Sequence, residues 1–334
     1  MKVSIIGTGL QFSRRAPVIH ESLTDKLVSI SGLNKSKGLE LSKIYNCDFD
    51  NSWEDTIKRK DNEVIIITTP PNLHAEITIK AIKNGKHVLC EKPLSKTIDE
   101  AIKMHETAKK YNKILKCGFN HRHHPAMLEA KLQVENGNIG KALFARCVYG
   151  ICGRPEYQKE WRANPLFAAG GQFIEQGSHG IDLLRWYLGE VEQVSCMTST
   201  HYFKEQNLED DGFAIFRFKS GATASLHTSL VQWQNTFLLE VFGTEGYFRI
   251  TGIGGTYDSQ KLFLGKRDFF SPFQDHVIQF RGSDKSWKNE WIEFKNSIEN
   301  NIEPIGNSFD GLQAMKIAFA CYDSNKLMKN ISLK

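Results

Sequence analysis

The sequence lacks any apolar run near the roughly 18 residues that a membrane-spanning helix needs. Residues 1–7 are typical of a first β-strand and not of a signal peptide. The seven cysteines are scattered and form no Cys-x-x-Cys pair, which disfavours a zinc site and indicates thiols in a reducing compartment. We therefore expect a soluble, cytoplasmic protein without a membrane partner.

A dense basic block is also missing. The net charge of +5 comes from lysines spread along the whole chain, so the sequence gives little support to a nucleic-acid partner. Internal repeats and low-complexity tracts are absent too. A length of 334 residues with 40% apolar residues favours about two globular domains.

The first 118 residues alternate short β-branched runs with helical patterns, which is typical of a parallel sheet wrapped by helices. Thr97 followed by Glu100 forms a capping-box pattern at the start of one helix. The predicted strands span 3–6, 27–31, 64–68, 87–90 and 114–117, and the clearest helices span 73–84 and 98–111. We predict an α/β domain over residues 1–118.

From residue 119 onward, antiparallel strands dominate. Turn signals such as Lys219-Ser220-Gly221 separate consecutive strands, which indicates one large antiparallel sheet in a second domain over residues 119–334. The predicted strands are 142–149, 191–203, 212–218, 223–231, 237–242 and 247–251, and the predicted helices are 125–136, 173–188, 287–300 and 309–327.

A Gly-x-Gly turn follows the first strand and precedes a helical run, a context in which backbone amides can hold a pyrophosphate. Phe12 replaces the third glycine of the usual fingerprint, and a plain tight turn is the alternative interpretation. The candidate cofactor residues in this segment are Gly7, Thr8, Gly9, Leu10, Gln11 and Phe12.

The end of the second strand lacks the acid that normally binds the ribose 2′-hydroxyl of NAD. The segment 31–37 instead offers hydroxyls and two lysines, which suit the 2′-phosphate of NADP better than a bare ribose. We therefore predict NADP in preference to NAD, with Ser31, Gly32, Asn34 and Lys35 as candidate cofactor residues.

A proline-stiffened turn follows the strand at 64–68 and is a plausible wall beside the cofactor. Asn72 could also serve only as the N-cap of the next helix. The candidate residues here are Thr69, Pro70, Asn72 and His74.

Lys92 stands between Glu91 and Pro93 at the end of an apolar run. Because a proline biases the residue before it toward extended geometry, we expect Lys92 at the carboxyl end of a strand, where parallel sheets bind ligands. An ordinary surface lysine is the alternative.

Glu175, His179 and Asp182 are spaced by four and three residues, so on one helix all three would share a face. An acid one turn from a histidine can raise its basicity, as a general base requires. A solvated polar face would give the same pattern.

Taken in order, these segments resemble the glucose-fructose oxidoreductase / inositol dehydrogenase / MocA (Gfo/Idh/MocA) family. The motifs are Gly-x-Gly at 7–9, Thr-Pro-Pro-Asn-Leu-His at 69–74, Gly-Lys-His-Val-x-x-Glu-Lys-Pro at 85–93 and Gly-Gly-x-x-x-Glu-x-Gly-x-His-x-x-Asp at 170–182. The resemblance implies an N-terminal Rossmann domain and a C-terminal α+β domain whose large sheet often mediates dimers or tetramers. We therefore expect a homodimer or homotetramer.

The resemblance also implies a reaction. Lys92 matches the family's catalytic lysine, His179 its acid/base and Glu175 the position of its usual aspartate. The implied activity is hydride transfer between NAD(P) and a secondary alcohol or ketone of a sugar, sugar derivative or cyclitol. Further expected cofactor residues are Glu91, Lys92, Asn120, Trp161 and Arg162, and the expected substrate residues are Lys92, His121, Arg154, Tyr157, Glu175, His179 and Asp182.

Two further interpretations stay open: a non-catalytic regulator that binds a dinucleotide, and an NAD-dependent glycosidase that uses transient oxidation. Arginine forks near 154–162 suggest an anionic sugar, such as a sugar phosphate or sugar nucleotide. The histidines at 121, 123 and 124 do not predict a metal site, because neighbours in an extended segment point opposite ways and no carboxylate cluster joins them.

Overall fold

The computed structural model describes residues 1–204, 207–269 and 274–333, which form two compact units. The first unit comprises Met1–Asn120, Leu166–Ala169 and Trp287–Met315, and the second comprises the described residues of His121–Pro165, Gly170–Ser286 and Lys316–Lys334. The predicted second domain, residues 119–334, thus includes two segments that pack in the first unit. The domain boundary after residue 118 stays a prediction.

The first unit contains a six-stranded parallel sheet within the described residues, in the order β3-β2-β1-β4-β5-β6. Its strands are β1 (Lys2–Ile6), β2 (Lys26–Ser31), β3 (Asp48–Asp50), β4 (Val64–Ile67), β5 (His87–Cys90) and β6 (Leu115–Cys117). Its first helices are α1 (Phe12–His20), α2 (Lys35–Ile44), α3 (Trp53–Lys58), α4 (Pro71–Lys83) and α5 (Ile98–Lys110). The predicted Rossmann fold is confirmed, and the strand order reverses between β1 and β4, where such sheets bind ligands.

β-Branched and aliphatic side chains explain why these strands lie at the centre of the unit. Val3, Ile5, Ile30, Ile66 and Leu89 belong to one buried core, as expected for a sheet covered on both faces. The predicted capping box is also present, because Thr97 and Glu100 bond reciprocally at the start of α5.

The second unit contains a nine-stranded sheet within the described residues, in the order β14-β13-β12-β11-β7-β10-β9-β8-β15. Its strands are β7 (Ala142–Cys152), β8 (Val191–Ser199), β9 (Asp211–Phe218), β10 (Thr223–Ser229), β11 (Val231–Gly243), β12 (Gly246–Thr251), β13 (Gln260–Lys266), β14 (His276–Phe280) and β15 (Ile331–Ser332). Neighbours pair antiparallel except β7 with β10, so the predicted large, mostly antiparallel sheet is confirmed. The sequence reading did not predict β13, β14 or β15.

Helices of the second unit are α6 (Pro125–Glu135), α7 (Gln172–Glu175) and α8 (Gly177–Leu188). The prediction of a single helix over 173–188 is therefore wrong, because the helix is interrupted at Gln176, directly before a glycine. Glycine weakens a helix, but Gly180 allows close packing, since a Cβ there would lie 2.6 Å from Leu226 of β10.

The late helices are α9 (Ser286–Asn300) and α10 (Ser308–Leu327), which begins in the first unit. Trp291 and Phe294 of α9 are buried in the same core as Val3 and Ile5. Lys116 of β6, wholly buried, bonds Glu293 at 2.9 Å and also the carbonyl of Ile305. These contacts explain why the late segment belongs to the first unit.

None of the helices in the described ranges is long and apolar enough to cross a membrane. No disulfide joins any of the seven cysteines, all of which the structure describes. Across the same ranges, no group of three His, Cys, Asp or Glu side chains is placed to hold a metal ion.

Candidate active site

The turn after β1 has the backbone geometry that a pyrophosphate site needs. Gly7 has φ of +107°, and a Cβ there would lie 2.8 Å from backbone and side-chain atoms of Thr68, so only glycine fits. At Gly9 a Cβ would meet nothing within 4 Å, which leaves open space beside the turn. Leu10 is exposed and Gln11 is the N-cap of α1, without a side-chain bond at that cap.

Phe12 has a different role from the expected one. Its side chain is buried in the core, with its ring edge-on to Tyr45 at 5.4 Å between centroids. A side-chain contact of Phe12 with a cofactor is therefore unsupported, and the residue offers only its backbone as the first residue of α1.

Three predicted cofactor residues carry buried polar atoms at the carboxyl edge of the parallel sheet. Ser31 Oγ, Thr69 Oγ1 and Asn72 Oδ1 have no hydrogen-bond partner among the residues that the structure describes. Native proteins rarely leave such atoms unsatisfied, so this edge fits a polar ligand such as a dinucleotide. Gly32 adjoins the same edge, since a Cβ there would lie 2.5 Å from Thr8 Oγ1.

The first residues of α4 and α2 show which asparagine caps a helix. α4 begins at Pro71 with Pro70 as its N-cap, so Asn72 is not the N-cap of that helix. Asn34 caps α2 instead, because its Oδ1 accepts the backbone N–H of Lys37 at 3.0 Å. Lys35 is exposed at the first position of α2.

His74 joins the two motif loops of the first unit. Its Nδ1 lies 3.0 Å from the carbonyl oxygen of Pro93, and its Nε2 lies 2.8 Å from that of Thr69. Burial lowers the pKa of His74, although both carbonyls oppose the effect. Both ring nitrogens therefore contact the backbone, which gives His74 a positioning role and no side-chain position for a cofactor contact.

Lys92 directly follows Glu91 at the carboxyl end of β5 and is partly buried, and its bond to Pro93 is cis. The carboxylate of Glu91 is 2.8 Å from Arg15 Nε of α1, and Arg15 also bonds Glu290. The expected contact of Glu91 with a cofactor is therefore unsupported, since Arg15 binds this carboxylate inside the protein.

The second unit assembles a cluster around His179, which lies in the first turn of α8. The ring of His121 stacks on it with 3.8 Å between centroids and 19° between planes. His121 comes from a 3₁₀ turn (Asn120–His123), and its Nε2 lies 3.0 Å from the hydroxyl of Tyr149. Two residues predicted for the same site thus touch each other.

Further members of this cluster were not predicted from the sequence. Tyr149, at the end of β7, packs its ring 5.5 Å from Tyr257, whose hydroxyl accepts a bond from Gln176 at 3.1 Å. Burial, together with the neighbouring Tyr257, raises the pKa of Tyr149 well above its ordinary value, so this phenol stays protonated. No local motif marks Tyr257, which is distant from Tyr149 in the chain.

Asp182 does not face solvent as the polar-face interpretation would require. It is 1% exposed, and its two oxygens accept bonds of 2.8 and 2.6 Å from Arg122. The guanidinium of Arg122 also lies 5.4 Å from the ring centre of Trp186. The expected contact of Asp182 with a substrate hydroxyl is therefore unsupported, and the pair instead ties the turn that carries His121 to α8.

Glu175 ends α7 and accepts a bond of 3.0 Å from Arg162 Nε. Burial lowers the pKa of Arg162, but the Glu175 carboxylate outweighs it, so the pKa lies above its ordinary value. Arg162 also lies over the ring of Trp161 at 4.3 Å. This pair belongs to the second unit, where Arg162 has a protein carboxylate for a partner.

The remaining predicted substrate residues lie close by in the same segment. Arg154 is exposed and bonds Glu160 at 2.7 Å. Tyr157 is buried against Ala163 and Leu230, and burial raises the pKa of its phenol. Neither side chain presents a free charge to a ligand.

A cavity of about 540 Å³ with a mixed polar and apolar lining lies beside His124, whose ring is 5.3 Å from that of His121. Burial lowers the pKa of His124, although Asp284 at 3.6 Å opposes this. Gln260 Nε2 is buried there without a partner in the described ranges. Six of the lining residues are His124, Gln260, Ser283, Asp284, Lys285 and Arg281.

Comparison with family models gives two adjoining matches. Residues 1–119 match the model described as an oxidoreductase family with an NAD-binding Rossmann fold, and residues 127–249 match the model described as the GFO/IDH/MocA C-terminal domain. Together the two models cover most of the chain.

Individual proteins are similar as well. Levoglucosan dehydrogenase of Pseudarthrobacter phenanthrenivorans is 32% identical over 228 residues, 59% of this chain, and the match spans only 58% of that enzyme's length. The scyllo-inositol 2-dehydrogenase (NAD(+)) of Bacillus subtilis is 27% identical over 269 residues, 78% of this chain and 75% of its own length. A solved levoglucosan dehydrogenase in complex with NADH and levoglucosan has a TM-score of 0.92 at 23% identity over 100% of this chain and 99% of that one, which shows the shared fold.

Proposed function

The chain belongs to the Gfo/Idh/MocA family of NAD(P)-dependent oxidoreductases, and from this premise we propose that it transfers a hydride between NADP or NAD and a secondary alcohol or ketone of a sugar or cyclitol. The observation that carries the proposal is the cluster of His179, His121 and Tyr149, which places a titratable imidazole among polar aromatic groups. The named relatives are dehydrogenases of a sugar derivative and a cyclitol.

We assign the proton transfer to His179 and the binding of the reacting oxygen to Lys92. In the oxidative direction, His179 takes the proton of the substrate hydroxyl while Lys92 donates a hydrogen bond to the same oxygen. The bound nicotinamide supplies the hydride acceptor. A positioned base of this kind contributes about 10²- to 10⁴-fold in rate. Glu175 orients the segment that carries His179, and Arg162 neutralises the negative charge of the Glu175 carboxylate.

The first unit supplies the cofactor site in this proposal. The Gly7-Thr8-Gly9 turn would hold the pyrophosphate, and Ser31, Thr69 and Asn72 would direct their unsatisfied polar atoms to the bound dinucleotide. These groups fit such a ligand because each needs a polar partner.

We keep NADP as the preferred cofactor. The segment 31–37 has no carboxylate, whereas Lys35 and Lys37 are exposed cations at the start of α2. The cyclitol relative named for NAD(+) is a reason to test this directly. Fluorescence titration should give a lower Kd for NADPH than for NADH, and K35A/K37A should weaken NADPH binding alone. Tighter binding of NADH by the wild-type protein would contradict the preference.

An uncharged substrate fits the second unit better than the anionic sugar suggested by the sequence. Arg154 and Arg162, which suggested an anion, each bond a protein carboxylate. The cavity beside His124 is lined by Arg281 and Lys285 but also by Asp258 and Asp284, so its charges do not favour an anion.

The test is to follow absorbance of the reduced nicotinamide while the protein is incubated with NADP or NAD and a panel of sugars and cyclitols. H179A and K92A should each lose at least about 10²-fold in kcat with nucleotide binding retained. H276A and K103A, which change an exposed histidine and lysine, are the matched controls. Nucleotide binding without turnover would favour a regulator, and glycoside cleavage without net reduction would favour the glycosidase reaction.

We also propose that a second copy of the chain covers the outer face of the nine-stranded sheet. Met197, Phe213 and Ile215 are 77%, 55% and 63% exposed on neighbouring strands, and adjoining exposed apolar side chains are typical of a protein–protein interface. Arg146 pairs with Glu240 on the same face, so two copies could match opposite charges. Light scattering should show a dimer or tetramer that F213E/I215E reduces to a monomer, and an unchanged mass would overturn the proposal.

The cytoplasm stays our proposal for the location of the protein, on the grounds of the scattered cysteine thiols.

A further inference from the structure

Two side chains outside the described cluster support the segment that carries Glu175 and His179. Glu209, just before β9, directs its carboxylate to the start of α7: Oε2 accepts the N–H of Gly171 at 3.1 Å, and Oε1 accepts the N–H of Phe173 at 3.1 Å. The backbone oxygen of Glu209 accepts the N–H of Gln172 at 2.9 Å. One residue thus satisfies three consecutive N–H groups that a helix start would leave without partners.

Tyr322 of α10 holds this carboxylate in place. Its hydroxyl donates a 2.6 Å hydrogen bond to Glu209 Oε1, the oxygen that also accepts the backbone N–H of Phe173. Burial raises the pKa of the Tyr322 phenol well above its ordinary value, so this group stays a donor throughout the physiological range. Its ring also contacts that of Phe173 at 6.0 Å, edge to face.

The same two residues explain why the motif begins with two glycines. A Cβ at Gly170 would lie 2.4 Å from the Tyr322 hydroxyl, and a Cβ at Gly171 would lie 2.2 Å from the backbone oxygen of Glu209 and 2.6 Å from its Oε2. Neither glycine has a positive φ, so the requirement is for space and not for backbone freedom. The glycine pair and its two partners therefore form one fitted unit.

From this start the chain leads through α7 to Glu175 and, after the helix break at Gln176, into the first turn of α8, which carries His179. Phe173 is fully buried and packs on Gly212 of β9, where a Cβ would lie 2.6 Å from its ring. Glu175 then ends α7, and His179 follows one short turn later. A shift of Gly171 would therefore be transmitted to Glu175 and His179 through a buried anchor.

We propose that Glu209 and Tyr322 are positioning residues for Glu175 and His179, acting as a brace on the start of α7. The proposal rests on the proposed function, because it assigns these residues to the same reaction. Neither residue touches the substrate or the nicotinamide in this scheme. Their effect is on the placement of the groups that do.

The test combines kinetics with hydrogen exchange on the full-length protein. E209Q keeps the size of the side chain but replaces one acceptor by an amide donor, so it should lower kcat about 10- to 100-fold, the scale of a misplacement near 1 Å. The Kd for NADPH should stay within about twofold, since the cofactor residues are untouched. Y322F should give a smaller loss, and exchange at residues 171–179 should rise in both variants.

A double-mutant cycle separates a brace from a general loss of stability. Because Tyr322 acts through Glu209, Y322F should cost little further activity in the E209Q background. E293Q and Y187F are matched controls: Glu293 also accepts a backbone N–H, from Ile305 at 2.8 Å, and Tyr187 donates to the carbonyl of Met127 at 2.7 Å. Both controls should leave kcat unchanged below their melting temperatures.

Wild-type kcat in E209Q, or additive losses in the double variant, would overturn the proposal. A wild-type protein without any turnover would instead overturn the proposed function. In that case the exchange data still decide the brace, since unchanged protection at residues 171–179 in E209Q would contradict it.

Discussion

Each unit contains a buried arginine that bonds an acid close in sequence to a residue with a proposed catalytic role, but the positive charges of the two arginines are neutralised differently. In the first unit Arg15 bonds both Glu91 and Glu290, and Glu91 precedes Lys92. In the second unit Arg122 forms a two-pronged bond with the single carboxylate of Asp182, one turn after His179. One arginine shares its charge between two acids, whereas the other matches one acid.

The comparison shows how a buried charge can be tolerated in two ways. A matched pair offsets the cost of desolvation by direct contact with good geometry. The shared arginine leaves an excess of negative charge, and burial raises the pKa of Glu290 while Arg15 and Lys116 oppose the shift. Glu290 Oε1 has no partner in the described ranges, which marks it as the weaker member of this group.

The largest expected effect is that of R15M, which would leave two carboxylates buried without their cation. We expect a loss of about 5 kcal/mol in the free energy of unfolding, at the upper end of the range for a broken buried pair. Urea unfolding followed by fluorescence measures it. The exposed Lys80–Glu76 pair provides the control, because E76Q should cost less than about 1 kcal/mol.

A smaller loss in R15M than in R122M would break the comparison. If R15M does not accumulate as folded protein, R15K keeps the charge, and its stability should fall between those of R15M and the wild type.

The next largest effect is expected for R122M, which would leave the buried carboxylate of Asp182 without its cation. The expected loss is about 3 kcal/mol, and turnover should fall as well because the turn carrying His121 is no longer tied to α8. Chemical unfolding and kcat are measured on the same preparation. A wild-type kcat and an unchanged free energy of unfolding in R122M would show that the Arg122–Asp182 pair does not position His121.

Removing both charges sharpens the contrast. R122M/D182L replaces the matched pair by apolar side chains, so its free energy of unfolding should recover to within about 1 kcal/mol of the wild type. The double variant should nevertheless keep a reduced kcat, since the hydrogen bonds that fix the turn are gone. A double variant less stable than R122M would contradict the interpretation of a matched pair.

The smallest effect is expected for E290Q, which removes the excess acid. The pKa of Glu290 is raised in the folded protein, so the folded state binds more protons than the unfolded state between the ordinary and the raised pKa. The contribution of Glu290 to the free energy of unfolding therefore falls as the pH rises from the ordinary to the raised pKa. At neutral pH, E290Q should lie within about 1 kcal/mol of the wild type.

The stability of E290Q relative to the wild type should improve as the pH is raised from the ordinary glutamate pKa toward neutrality. Unfolding curves at several pH values in this interval measure the difference. A relative stability that declines with rising pH would show that Glu290 is held as a carboxylate by Arg15.

Patterns within one element were sufficient to predict much of this fold. The β-branched runs indicated the parallel sheet, Thr97 and Glu100 indicated a capping box, and Gly7 indicated the turn, because each signal acts over a few residues. β13 and β14 were not predicted, because both strands are partly exposed and carry polar residues. Their alternation of apolar and polar side chains is therefore weak.

The candidate site was predictable only where a motif carries it. Lys92 and His179 stand in such motifs, but the partners of their neighbours lie far away in the sequence: Arg15 for Glu91, and Arg122 for Asp182. Such pairings depend on tertiary packing, which no local periodicity reports. The burial of the Phe12 side chain was not predicted for the same reason, since its core contacts come from other elements.

The return of Trp287–Met315 to the first unit has a consequence for how the chain is made. The ribosome releases the six parallel strands long before it adds Trp291 and Phe294, which complete their core. The core of the nascent Rossmann sheet therefore stays incomplete until α9 has emerged, and a fragment that stops at residue 120 would expose the apolar surface that α9 covers.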